Sequence, residues 1–233
     1  MKTKIILGLL LVAAAGLRAQ AVTTNSTTLF TGTQLIPDNQ PSGFSASQSV
    51  SLGSTITDIS VQLDITGGFN GDLYAYLAGP NGQFAVLLNR VGVSATSANG
   101  YGNTGLNITL ATSGTQGDVH VYQTLSPSYN GGGQLTGTWT ADGRNVNPQA
   151  AGSVIGGTSA TLGLNNLIGT NPDGVWTFFI ADLSAGDQST LQSVILNIMT
   201  VPEPQTWAML GGGLAVLWWL RRRKLNCLMV KQR

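Results

Sequence analysis

Residues 56–65 read Ile-Thr-Asp-Ile-Ser-Val-Gln-Leu-Asp-Ile, and within them Ile59, Val61, Leu63 and Ile65 alternate with Ser60, Gln62 and Asp64. Period-two alternation puts one apolar and one polar face on an extended chain, so this stretch predicts a half-buried strand. Thr66-Gly67-Gly68-Phe69-Asn70-Gly71 turns the chain, and Asp72–Ala78 follows with Leu73, Ala75 and Leu77 on one face and Tyr74 and Tyr76 on the other. Gly79-Pro80-Asn81-Gly82 is a strong turn signal, after which Gln83–Asn89 returns as a third strand. Short connections between three such strands predict an antiparallel meander.

Outward from this block the pattern thins. Val22–Ser42 is polar, contains Pro37 and Pro41, and reads as an irregular lead-in. Arg90–Gly105 is a Gly/Ser/Asn-rich loop; Leu106–Leu110, Val119–Tyr122 and Leu135–Thr140 read as further strands. Asp142–Gly157 reads as a long loop, and Thr161–Ile168 is weakly apolar. Asn171-Pro172-Asp173-Gly174 launches Val175–Ala181, VWTFFIA, which is apolar on both faces and predicts a central strand. Leu191–Met199 is the last strand, with Val194, Leu196 and Ile198 on one face. No internal stretch has helical periodicity. About eight short strands with glycine-rich turns imply an all-β domain, an antiparallel jelly-roll-like β-sandwich.

Charge divides the chain. All four lysines, Lys2, Lys4, Lys224 and Lys231, lie in the termini. Between Val22 and Val201 stand two arginines, Arg90 and Arg144, against nine aspartates and no glutamate, a net charge of −7 with His120 neutral. Such a domain excludes nucleic acid as a partner, because phosphate binding needs cations. Cys227 is the sole cysteine. A disulfide framework, a cysteine zinc site and a thiol nucleophile are thereby excluded within one exported chain.

Residues 1–21 have the build of a secretory signal peptide. Lys2 and Lys4 form the charged start, Ile5–Leu17 the apolar segment, and Ala19-Gln20-Ala21 the small-x-small site. Cleavage after Ala19 and an uncleaved N-terminal anchor are the alternatives. At the other end, residues 201–224 combine Pro202-Glu203-Pro204, an uncharged run from Trp207 to Leu220, and the basic cluster Arg221-Arg222-Arg223-Lys224. The prolines delay any helix until after Pro204. Fourteen helical residues would span about 21 Å, against a hydrocarbon core of roughly 30 Å. Gly211-Gly212-Gly213 weakens that helix, and the basic cluster would stay on the inner side. A marginal transmembrane helix with an extended lead-in suits a protease substrate; an ordinary single-pass anchor is the plainer reading. The order of these parts resembles the PEP-CTERM sorting signal. That resemblance implies an exosortase as processing enzyme beside signal peptidase, with the membrane as a transient anchor. Residues 225–233 would form a cytoplasmic tail.

Two segments of the domain, residues 22–200, together resemble the P domain that accompanies subtilisin-like proprotein convertases. The first runs from Ile59 to Arg90 and carries Gly71-Asp72-Leu73, Gly79-Pro80-Asn81-Gly82 and Leu87-Leu88. The second runs from Gly174 to Leu196 and carries Trp176, Phe178, Ile180, Asp182 and Gly186-Asp187. The chain departs from that pattern at Thr66-Gly67, where the family often has a histidine, and at Ser189, where a glycine usually follows. No protease domain precedes the sandwich, so the resemblance implies no enzymatic activity.

The only histidine, His120, sits between two valines and is expected to face solvent from a strand; it has no serine elbow or zinc-helix motif around it. Asp72, Asp182 and Asp187, at strand ends, are candidate calcium ligands, with turn capping as the alternative. Tyr74, Tyr76, Tyr101 and Tyr122 are a candidate sugar-binding face, with cross-strand packing as the alternative. The expected function is that of an exported, exosortase-sorted protein of the envelope, surface or extracellular matrix. Its role would be structural or adhesive, with exopolysaccharide as a candidate partner. The alternative is a calcium- or carbohydrate-dependent binding module.

Overall fold

A computed structural model describes residues 22–201 together with Gly213, Leu214, Leu217, Trp218 and Arg221. Val22–Val201 form one compact unit. The expected signal peptide, residues 1–21, and the cytoplasmic tail, residues 225–233, lie outside the described residues.

Ten strands make two sheets. They are β1 (Thr23–Leu35), β2 (Phe44–Val50), β3 (Ile56–Gly67), β4 (Leu73–Ala78), β5 (Phe84–Asn89), β6 (Leu106–Ala111), β7 (Ser128–Tyr129), β8 (Leu135–Thr140), β9 (Gly174–Asp182) and β10 (Ser189–Thr200). The larger sheet runs β1-β10-β3-β6-β8-β7 and the smaller β2-β9-β4-β5. The chain crosses between sheets at almost every step, and only β4–β5 and the β6–β8 stretch stay within one sheet. The apolar side of each strand meets the other sheet across a shared core, in which Trp139, Trp176, Tyr122 and Phe178 are the largest fully buried side chains.

The alternating stretch that opens the sequence lies at the centre of the larger sheet. Ile59, Val61, Leu63 and Ile65 of β3 face Ile198, Leu196, Val194 and Leu191 of β10 across an antiparallel register. On the other side Val61, Leu63 and Ile65 face Leu110, Ile108 and Leu106 of β6. All of these side chains are buried. Each such burial stabilises the fold by roughly 1.5–3 kcal/mol relative to exposure. In the smaller sheet, β9 is internal as its apolar sequence predicts, pairing with both β2 and β4.

Several expectations are corrected. The meander does not form: β4 and β5 pair as a hairpin, but β3 belongs to the other sheet. The 3-10 turn Asn70–Asp72 is buried and carries the chain across the core, so the apolar faces of β3 and β4 meet instead of lying side by side. The sheet is not wholly antiparallel, because β6 and β8 are parallel. Val119–Thr124 is a 3-10 turn. Within the supposed loop Asp142–Gly157, residues Gly152–Gly157 form a short helix, α1. Among its residues only Ile155 is buried, so it leaves no helical periodicity in the sequence.

The lead-in is also structured. β1 fills most of it, and β1 and β2 are edge strands, each paired on one side only, β1 with β10 and β2 with β9. In β1 only Leu29 is buried, while Phe30 packs edge-on against Phe44 of β2 with ring centroids 5.2 Å apart. Gly43 sets the start of β2: its φ is +48°, and a Cβ there would lie 2.1 Å from the Ile180 carbonyl oxygen. Gly53 has a similar φ of +64° but open space around it. Gly53→Ala is therefore expected to cost about 1–2 kcal/mol from backbone strain alone, and Gly43→Ala about 2–5 kcal/mol because strain and overlap add. Urea unfolding of the full chain in mild detergent measures both; equal losses would contradict the close approach of β2 to β9.

Candidate functional site

The candidate calcium residues separate. Leu73 pairs with Asp182 across β4 and β9, which brings Asp72 and Asp182 to one corner of the smaller sheet. Both are buried, at 4% and 0% exposure. The Leu183 amide donates to the Asp72 carbonyl at 2.9 Å and the Gln40 amide to the Asp182 carbonyl at 2.8 Å, so backbone bonds fix the corner. Arg90 Nη2 lies 3.9 Å from Asp72 Oδ1. Ser184 N donates to Asp182 Oδ1 at 3.2 Å, and Asp182 Oδ2 is buried without a partner. Asp187 is exposed, on a turn with φ +30°. Among the described residues no group of three or more His, Cys, Asp or Glu side chains is placed to hold a metal. Asp72 and Asp182 thus share a buried corner, whereas Asp187 is exposed on its turn.

A cleft of about 370 Å³ opens beside Asp72, lined by Phe69, Asn99, Gly100, Gly102 and Ser184. Burial raises the carboxyl of Asp72, with Arg90 opposing. Burial pushes Asp182 up to about 6, against an ordinary 3.8; the Ser184 amide opposes this, while the charges of Asp72 and Asp38 add to it.

His120 does not face solvent from a strand. It is 2% exposed and sits in the 3-10 turn. Its Nδ1 lies 2.8 Å from Asp142 Oδ2 and its Nε2 3.1 Å from the Val93 carbonyl oxygen. Asp142 also accepts the Asn89 amide at 3.1 Å, and its Oδ1 lies 3.2 Å from Arg144 Nη1. Arg144 Nη2 reaches Asp118 Oδ2 at 2.9 Å. This network ties three long loops to β5. Sequence reading missed it because Asp142 and Arg144 lie in a patternless stretch, distant in sequence from His120.

The four tyrosines divide into two sets. Tyr122 is fully buried, packed edge-on to Tyr101 at 4.6 Å and to Trp139 at 6.1 Å. Its hydroxyl donates to Asn103 Oδ1 at 3.0 Å and accepts from Asn70 Nδ2 at 3.2 Å. Tyr74 and Tyr76 instead stand half-buried on the outer face of the smaller sheet, with Phe84 and Phe179. Of the two phenylalanines, Phe179 is signalled in the sequence by the apolar character of both faces of β9, while Phe84, at the start of β5, carries no such signal.

The raised Asp182 sets a pH dependence. Between its unfolded and folded values the folded chain holds a proton that the unfolded chain has released, so its stabilising contribution is complete below about pH 4 and lost as pH rises through about 6. Asp72 is shifted in the same direction. Asp182→Asn cannot ionise. It is expected to melt above the parent at pH 7.5 and close to it at pH 4, measured in chelator; equal gaps at both pH values would contradict a buried carboxyl whose Oδ2 has no partner.

Of the sorting features, Pro202, Glu203, Pro204, Arg222, Arg223 and Lys224 lie outside the described residues. Gly213, Leu214, Leu217, Trp218 and Arg221 are helical and exposed. Among the described residues no helix is long and apolar enough to cross a membrane. No curated protein matches the chain. Two crystal structures of an Aeromonas sobria serine protease, one alone and one in complex with the chaperone ORF2, are similar at 14% identity, with TM-scores of 0.40 and 0.41. They match over 82% of this chain and 29% of theirs, so the chain spans less than a third of their length. Residues 200–224 match the PEP-CTERM protein-sorting motif, which supports an exported protein sorted by an exosortase.

Proposed function

We propose that the chain delivers an acidic, non-catalytic β-sandwich to the envelope, surface or extracellular matrix, where it acts as a structural or adhesive element in contact with exopolysaccharide. The observation that carries this reading is the sorting motif at residues 200–224. It begins where the fold ends. β10 closes at Thr200, which still pairs with Thr23 of β1 and Ile56 of β3. A cut near Pro202–Pro204 would therefore leave every strand of the sandwich in place.

A non-catalytic role is supported by His120, whose two ring nitrogens both face protein oxygens in a buried site. That arrangement leaves the only imidazole of the chain without a free nitrogen for a substrate. The strand orders β1-β10-β3-β6 and β2-β9-β4-β5, wound alternately between the sheets, support a jelly roll. The P-domain resemblance gains support from β4 and β9, which carry its two segments and are neighbours.

Deleting Pro202–Pro204 in the producing cell is expected to leave an unprocessed precursor in the membrane fraction, detected by immunoblot as a band of higher mass. Processing and location identical to those of the parent would refute exosortase sorting.

A further inference from the structure

The outer face of the smaller sheet carries a band of aromatic rings and no charge. Its outward positions come from alternate residues of four strands. β2 contributes Ser45, Ser47 and Ser49, which pair with Phe179, Thr177 and Val175 of β9. β4 contributes Tyr74, Tyr76 and Ala78, opposite Ala181, Phe179 and Thr177 on one side and Asn89, Val86 and Phe84 on the other. Of these Ala181, Asn89 and Val86 are buried, Asn89 beneath the Arg144 and Val146 carbonyls, so the open part of the face is that around Tyr76, Phe84, Phe179 and Thr177. No charged residue stands at any of these positions, in a domain with nine aspartates and two arginines.

The aromatic rings are contiguous. Tyr76 stacks on Phe179 with centroids 4.8 Å apart and planes 17° from parallel. Phe84 lies 5.0 Å from Tyr76 on the other side, and Tyr74 lies 6.0 Å from it along the strand. The band thus crosses three strands, β5, β4 and β9, and all four rings are half-buried. Beside the band, Ser47 Oγ and Thr177 Oγ1 form a pair 2.8 Å apart, both open to solvent on one side. Among the described residues the hydroxyls of Tyr74 and Tyr76 take part in no hydrogen bond.

We propose that this face binds a neutral, polyhydroxylated glycan chain, with Tyr76 and Phe179 as the stacking platform and Ser47, Thr177 and the free tyrosine hydroxyls as its polar margin. This rests on the reading of the domain as an adhesive element in contact with polysaccharide, and it names the surface responsible. Sugar rings present apolar C–H faces and a rim of hydroxyls, which matches a flat aromatic band bordered by hydroxyls. The charge pattern selects among glycans: an anionic polymer would meet the field of the surrounding aspartates, whereas a neutral one would not. A protein partner of opposite charge would need cations or carboxylates on the face, and there are none.

The test uses the full chain in mild detergent, run by affinity electrophoresis in gels containing dextran, a β-1,3-glucan, galactomannan or, as the anionic probe, alginate. The wild-type chain is expected to be retarded by at least one neutral polymer and not by alginate. Tyr76→Ala and Phe179→Ala are expected to weaken retardation at least tenfold, and Tyr76→Phe to keep most of it because the ring remains. Ser47→Glu, at an exposed edge-strand position, brings a charge to the face without removing a ring and is expected to abolish it. Melting curves show whether each variant is folded. The proposal is overturned by an absence of retardation in all three neutral gels, by retardation in alginate alone, or by a folded Ser47→Glu chain that migrates as the parent does. It is also overturned if light scattering finds a dimer that Tyr76→Ala dissociates, since the face would then serve self-association. Each of these outcomes leaves processing at Pro202–Pro204 untouched, so the sorting reading stands or falls separately.

Discussion

The pairing of β3 with β10 is the contact on which the rest depends. It joins residues 56–67 to residues 189–200 in register from Ser189 opposite Gly67 to Thr200 opposite Ile56. β1 can pair only once β10 is in place, and β6 extends the same sheet from the other side of β3. Such non-local pairing must meet its loop-closure entropy before the buried faces reward it. The chain therefore cannot complete its core until its last strand has left the ribosome and crossed the membrane. That strand is followed at once by the sorting motif, so the signal for processing and the final element of the fold arrive together.

This explains which parts were legible in the sequence. β3, β4, β9 and β10 are internal strands with at least one face in the core, and their apolar alternation is visible without any structure. β1 and β2 are edge strands that bury little beyond Leu29 and Val50, so hydrophobic periodicity is nearly silent in them. Their threonines and serines fit a strand, but the same composition fits a loop. His120 failed for a different reason. Two flanking valines suggested alternation, yet Asp118 caps a tight turn by accepting the His120 amide at 2.9 Å, and the turn sends the imidazole inward to Asp142. A local pattern cannot reveal a partner that lies more than twenty residues away.

The acidic charge of the domain is largely structural. Asp173 accepts the amides of Leu52 and Gly53, Asp38 that of Gly186, and Asp58 that of Ile59. Asp142 and Asp118 flank Arg144. A carboxylate that receives two amides holds a glycine-rich loop without a disulfide, which a chain with one cysteine cannot form within itself. The aspartates thus act where small exported domains often use cross-links. Asp182 does this only in part: its Oδ1 accepts the Ser184 amide, while its Oδ2 is buried without a partner.

The outer face of the smaller sheet departs from the usual pattern of a sandwich. A strand apolar on both faces is expected where layers cover both sides of a sheet. β9 is such a strand, but only its Trp176, Phe178 and Ile180 side meets the larger sheet, while Val175, Thr177 and Phe179 lie on the other. In an antiparallel sandwich that second face is ordinarily polar, and a partly exposed aromatic band carries a cost in solubility and in unwanted association. The neighbouring serines of β2 show that polar residues are tolerated on the same face. Tyr76 and Phe179 lie outside the buried core, and what they add to the fold is their cross-strand stacking. That stacking accounts for the two rings meeting, but not for an uncharged aromatic band on the solvent side of an acidic domain, and it is there that the proposed glycan contact supplies a reason.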